Sequence, residues 1–212
     1  MGPSVLLVGV VLFAAVLMFE QAIRVGYSTT VGPIAALGVG DPTLASLFNG
    51  TLAGLGLTTA LFAQGLPGRF RYGRPVVTVL GSDLVLAGVF PEGTEVHWVF
   101  GLLLYVLPAI AIWAFFWTFL HDRRRRLTIF TASIIGVASV GLLMTLTGAY
   151  GTVGAGGAER LIDYPGLLWG GTLAVVTIRD PSVLGEGRPY RSRGGRGRPH
   201  IRESSPELSL TS

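Results

Sequence analysis

The sequence predicts an all-α fold, a polytopic membrane helix bundle of about six transmembrane helices with both termini cytoplasmic. Three observations predict it. The chain is 50% hydrophobic and only 13% charged, whereas a soluble domain carries about 25% charged residues. Its charges are gathered between long apolar runs, the pattern of a chain whose main solvent is lipid. And 14 of its 16 basic residues fall in alternate connections between those runs.

Six apolar segments can be marked: residues 5–23, 45–66, 75–90, 96–120, 127–150 and 161–178. At 1.5 Å per residue most of them cross a hydrocarbon core of about 30 Å, the third and sixth being the short ones. The first follows a Met1–Ser4 start without basic residues. It also exceeds the ~7–15 residues of a signal-peptide core, so it reads as a retained helix. In the second and fifth, Gly50, Gly54, Gly56, Ala132, Gly136 and Gly141 offer small surfaces for helix contact, with Gly50 and Gly54 in the four-residue spacing of close crossings. Trp98, Trp113, Trp117 and Trp169, with Tyr105, Tyr150 and Tyr164, lie mostly toward segment ends and read as interfacial belt residues.

Orientation follows from the arginines, because cytoplasmic loops hold the basic excess. The second connection has Arg69, Arg71 and Arg74; the fourth has Arg123, Arg124, Arg125 and Arg126; seven more follow Ile178. The other connections have only Arg24 and Arg160, with His97 between segments three and four. Residues 1–178 therefore form the transmembrane domain of a multi-pass protein of the cell (cytoplasmic) membrane. Residues 179–212 are an Arg/Gly/Pro-rich cytoplasmic tail, expected to be disordered for want of apolar residues. The lipid bilayer is the expected partner. The tail has the charge to touch anionic headgroups, but no aromatic-interleaved module accompanies it, and no nucleic acid is expected. Oligomeric state is left open.

The composition excludes several chemistries. With no Cys there are no disulfides, thiolate metal sites or Cys nucleophiles. All basic residues are Arg, so a Lys-bearing phosphate loop is absent, as is a Gly-x-Ser-x-Gly elbow. His97, His121 and His200 fall on different sides, so no multi-histidine zinc site can be assembled, and no metal or cofactor is expected.

Polar residues at membrane depth are costly and are functional candidates by default. Asp83 lies midway along the third segment, as a proton or cation relay or as a helix-to-helix hydrogen bond through Ser82 or Thr78. Glu20 lies near the outer end of the first, within reach of water. Asp41, Asn49, Glu92, Glu95, His97, Glu159, Arg160 and Asp163 gather at the segment ends on the non-cytoplasmic side.

The stretches IAALGVGDPTLASLFNGTLAGLG (34–56), LAGVFPEGTEVHW (86–98) and GAERLIDYPGLLW (157–169) resemble the motif regions of the prokaryotic domain-of-unknown-function 998 family. Its members are six-helix membrane proteins without an assigned activity. The most specific piece is the Phe90-Pro91-Glu92 turn followed by His97. Where relatives often carry Ser-Asp, this chain has Ala35-Ala36 before Leu37-Gly38. The resemblance implies a fold and a membrane, not a reaction. It singles out Asn49, Glu92, His97, Glu159 and Arg160, the same outer polar cluster. The preferred expectation is a non-enzymatic structural or accessory role. The alternatives are a small transporter or sensor using Asp83, and a lipid-modifying enzyme using His97 and Glu92.

Overall fold

A computed structural model describes residues 2–185. The helices are α1 (Gly2–Ile23), α2 (Pro42–Gln64), α3 (Gly73–Val89), α4 (His97–His121), α5 (Arg125–Thr147) and α6 (Gly154–Arg179). Short 3-10 turns occupy Ala35–Gly38, Gly68–Phe70 and Pro181–Val183, and there is no strand among the described residues. Five helices are long and apolar enough to cross a membrane, while α3 has only 17 residues. The protein is a multi-pass membrane bundle.

Local chemistry sets the boundaries. Asp41 caps α2, its carboxylate accepting from the backbone N–H of Thr43 at 2.9 Å and of Leu44 at 3.0 Å, with Pro42 in the first turn. Gly148, at φ 67°, ends α5 in the left-handed conformation that glycine adopts at least cost. The largest departure from the sequence expectation is α6, which starts at Gly154 and is the longest helix at 26 residues, not a short one from Leu161. The Gly-rich, charged run GAGGAER reads as a loop by propensity. Its glycines serve a close approach described below, so tertiary contact overrides propensity.

Consecutive helices pack as antiparallel neighbours, and α1 closes the ring on α6. α2 and α3 meet through glycines: a Cβ on Gly81 would lie 2.6 Å from the Gly56 carbonyl oxygen and the Ala60 nitrogen, and one on Gly88 would lie 2.5 Å from the Asn49 carbonyl oxygen. Gly141 does the same for α5 against α6, 2.7 Å from the Ala158 carbonyl oxygen. Gly50, Gly54 and Gly136 instead face open space, so Gly56 alone of the expected α2 glycines forms the seam.

Two ends can be distinguished. At the turn end, Phe70 is inserted against Phe115 (ring centroids 4.7 Å apart) and Phe119 (6.2 Å), and Trp169 packs edge-on against Phe115 at 5.0 Å. Trp169 is thus a core residue, 8% exposed, not a belt residue. Arg69 pairs with Asp122 at 2.7 Å and donates to the Val183 carbonyl, while Arg124 donates to the Ser182 carbonyl at 2.6 Å. With Val183 and Leu184 buried, these bonds fold residues 180–185 back onto the bundle. The disorder expected of the tail from residue 179 therefore does not extend to its first residues, and residues 186–212 lie outside the described part.

Gly81→Val should force α2 and α3 apart and cost about 3 kcal/mol. Gly50→Val should leave the thermal midpoint of the purified protein near wild type. Equal midpoints for the two variants would refute the glycine seam.

Candidate functional site

The opposite, loop end is built around residues 24–41, which join α1 to α2 with only one 3-10 turn. A segment without a ladder must find partners for its backbone polar groups. α6 supplies them. Arg160 Nη1 donates to the carbonyls of Thr29 (2.8 Å) and Gly32 (3.1 Å), and to Gly156 of its own helix (2.7 Å). Its Nη2 donates to the Tyr27 hydroxyl, which in turn donates to the Pro33 carbonyl at 3.0 Å. Burial pushes the Tyr27 pKa above its ordinary value, the Arg160 guanidinium opposing, so the hydroxyl remains a donor at neutral pH. Glu159 Oε2 accepts from the Ile34 backbone N–H at 2.8 Å. The glycines of α6 let the segment in: Gly156 N–H donates to the Thr30 carbonyl at 3.0 Å, and a Cβ there would lie 2.4 Å from the Gly32 oxygen. From the other sides, Arg24 donates to the Ala36 carbonyl at 2.7 Å and Asn49 Nδ2 to the Gly38 carbonyl at 2.8 Å.

Beneath this roof lies a cavity of about 320 Å³. Its mouth is lined by Asn49, Glu92, His97, Tyr105, Glu159 and Asp163. Its bore is apolar, running down between α1, α2, α3, α4 and α6 past Phe13, Phe48, Leu55 and Trp169 to Leu6 and Phe62. From Asn49 to Phe62 on α2 the bore is about 20 Å deep at 1.5 Å per residue. No residue of α5 lines it.

Four of the five residues expected in the outer cluster, Asn49, Glu92, His97 and Glu159, therefore share one cavity wall. Arg160 does not line it. Its guanidinium is turned into the roof, where contacts to Thr29, Gly32 and Tyr27 hold it, with one more to Gly156 of its own helix. Both Glu159 and Arg160 sit within α6 and not in the loop before it. His97 Nδ1 lies 2.9 Å from the Phe90 carbonyl. A carbonyl only accepts, so Nδ1 is the donor in this contact. Glu92 Oε2 is buried with no hydrogen-bond partner.

Tyr105, read from sequence as a belt residue, lines the mouth with its hydroxyl facing Glu159. The signal available was spacing: Gly101, Tyr105 and Pro108 recur at helical intervals on one face of α4, as Glu159, Asp163 and Gly166 do on α6. The two deeper acids behave otherwise. Glu20, expected to reach water, is fully buried without a partner, and the Arg24 side chain reaches the roof in place of it. Asp83 is 3% exposed, lies outside the cavity and also lacks a partner. Thr78 and Ser82, its expected partners, bond their own helix instead, at the Arg74 and Thr78 carbonyls.

Residues 7–176 match the family described as a protein of unknown function, DUF998. The chain belongs to the DUF998 family. No curated protein and no solved structure matches it. In this DUF998 protein the match runs from within α1 to within α6 and takes in every residue of the cavity mouth. Among the described residues no three His, Asp or Glu side chains converge as metal ligands. The carboxyls of Glu92, Glu159 and Asp163 are distributed around a rim, an arrangement suited to several hydrogen bonds from one bound group.

Arg160→Met should strand the Thr29 and Gly32 carbonyls and cost about 2–3 kcal/mol. Glu92→Gln, which breaks no bond, should leave the thermal midpoint unchanged. A stable Arg160→Met variant would remove the guanidinium from its place as anchor of the roof.

Proposed function

We propose that this protein is a non-enzymatic accessory protein of the cell membrane that binds one single-chain amphiphile, its head at the rim and its chain in the bore. The observation that carries this reading is the cavity itself, acceptor-rich at one end and apolar for the rest of its depth. Its volume falls at the low end of small-molecule pockets, about 300–1,000 Å³, and drawn out over about 20 Å it admits one chain and not two abreast.

The rim favours a particular head. Three carboxyls and the Tyr105 hydroxyl offer hydrogen-bond acceptors there, and no arginine lines the space. An ammonium group supplies both the donors and the complementary charge. The arginines of the turn end, residues 69, 71, 74 and 123–126, support a cytoplasmic location for that end and an external one for the rim.

Dodecylamine added to the protein in neutral detergent should raise its thermal midpoint, and dodecyl sulfate should not. Glu92→Gln combined with Asp163→Asn should weaken the amine effect about tenfold, the loss of one or two charged hydrogen bonds. Equal responses to amine and sulfate, or none to either, would sink the reading. Topology is tested on a chain that has no native Cys: Glu95→Cys should react with an impermeant thiol reagent on intact cells, and Arg71→Cys should not. The opposite labelling would invert the orientation.

A further inference from the structure

The acids of the rim stand at two depths. α6 runs inward from the loop end, so Asp163, one turn after Glu159 on the cavity face, lies about 6 Å further down the bore at 1.5 Å per residue. Glu92 belongs to the upper level: it lies on the connection between α3 and α4, and its charge acts on Glu159, whereas the charges acting on Asp163 are those of Glu159 and Arg160. The Tyr105 hydroxyl serves both levels, within the fields of Glu159 and Asp163. Below Asp163 the same face of α6 continues as Gly166, Leu167 and Gly170, without a further polar group. Among the described residues the ion pairs are Arg69 with Asp122 and Arg124 with Asp180, both at the turn end. Arg160 is bonded to the roof, Arg24 donates to the Ala36 carbonyl, and neither lines the space. Three carboxyls thus face one cavity with a single guanidinium acting on them from outside it.

We propose that the head of the bound amphiphile carries two ammonium groups in line with its chain, three or four carbons apart, the inner one at Asp163 and the outer one between Glu92 and Glu159. This rests on the amphiphile reading above and adds the class of head. One ammonium offsets one carboxylate and leaves the other level uncompensated beside apolar surface, where a lone charge is costly. Two nitrogens separated by three or four carbons span about 5–6 Å when extended, the interval between the levels. The inner nitrogen, carrying the chain on one side and the linker on the other, keeps two N–H donors, enough for the Asp163 carboxylate and the Tyr105 hydroxyl. A bore of about 20 Å then leaves about 14 Å for the chain, which eleven or so methylenes fill.

The test titrates the thermal midpoint of the full-length protein in neutral detergent with dodecylamine and with N-dodecylpropane-1,3-diamine. The diamine should reach half of its effect at a concentration about tenfold lower, the gain of a second charged hydrogen-bonded contact. Asp163→Asn should bring the two ligands to within about twofold of each other by removing the inner contact. Glu92→Gln, at the other level, should narrow the difference likewise and breaks no bond. If dodecylamine raises the midpoint and the diamine gains nothing over it in the wild type, the two-level head falls and the amphiphile reading stands. A diamine advantage undiminished in both variants also overturns the two-level head. If neither ligand raises the midpoint, both readings fall. Propane-1,3-diamine without a chain should have no effect at the concentration that saturates the alkyl diamine; an equal effect would take the chain out of the bore, and both readings with it.

Discussion

The bonds from Arg160 and Glu159 to the backbone of residues 29–34 are the constraint on which the remaining architecture depends. An irregular segment at the edge of a bilayer cannot leave its carbonyls and amides unpaired without a cost of several kcal/mol per group. α6 answers with a guanidinium, which offers a planar fork of donors and stays charged in any surroundings. Once that segment is fixed, α1 and α6 are joined at one end, the helix ring is closed, and the space within it acquires a roof. The cavity lies under that roof between the other five helices, with no lining from α5.

The packing devices are distributed accordingly. Where two helices must approach closely, glycine stands on one or both: Gly56 against Gly81, Gly88 against Asn49, Gly141 against Ala158. Where the bundle is sealed, aromatic rings fill it, Phe70, Phe115, Phe119 and Trp169 forming a plug at the turn end. Where α4 and α6 face each other across the cavity, Gly101, Pro108 and Gly166 line the space and leave it open. Tight, sealed and open regions thus follow residue type along the same ring.

Much of this was legible in the sequence. Apolar run lengths and arginine placement yielded six helices, because a lipid solvent tolerates few alternatives for a long uncharged segment. The residues of the rim were legible as a group, since short connections hold polar side chains near helix ends. What escaped was any feature set by a distant partner. The start of α6 was hidden because Gly154 and Gly156 weaken helix propensity locally while serving contact with Thr30 and Gly32. Gly50 and Gly56 cannot be told apart by spacing, only by which face meets α3. Trp169 and Tyr105 have belt-type composition, and their inward direction depends on the ring of helices around them. Glu20 was misplaced because depth along a helix says nothing of the segment folded above it.

Arg160 and its acceptors at Thr29 and Gly32 are separated by 131 and 128 residues. Chain synthesis therefore delivers the roof segment long before the helix that holds it. Until the last helix arrives, the first connection has no anchor and the ring no closing member, and bringing such distant parts together is the slow, entropically costly kind of contact. Assembly of this protein is consequently ordered in time. The Thr29 and Gly32 carbonyls of the first connection meet Arg160 only once α6 is in place. A chain cut short before α6 would leave that loop without its side-chain donors and acceptor from α6 and the α6-facing flank of α1 uncovered.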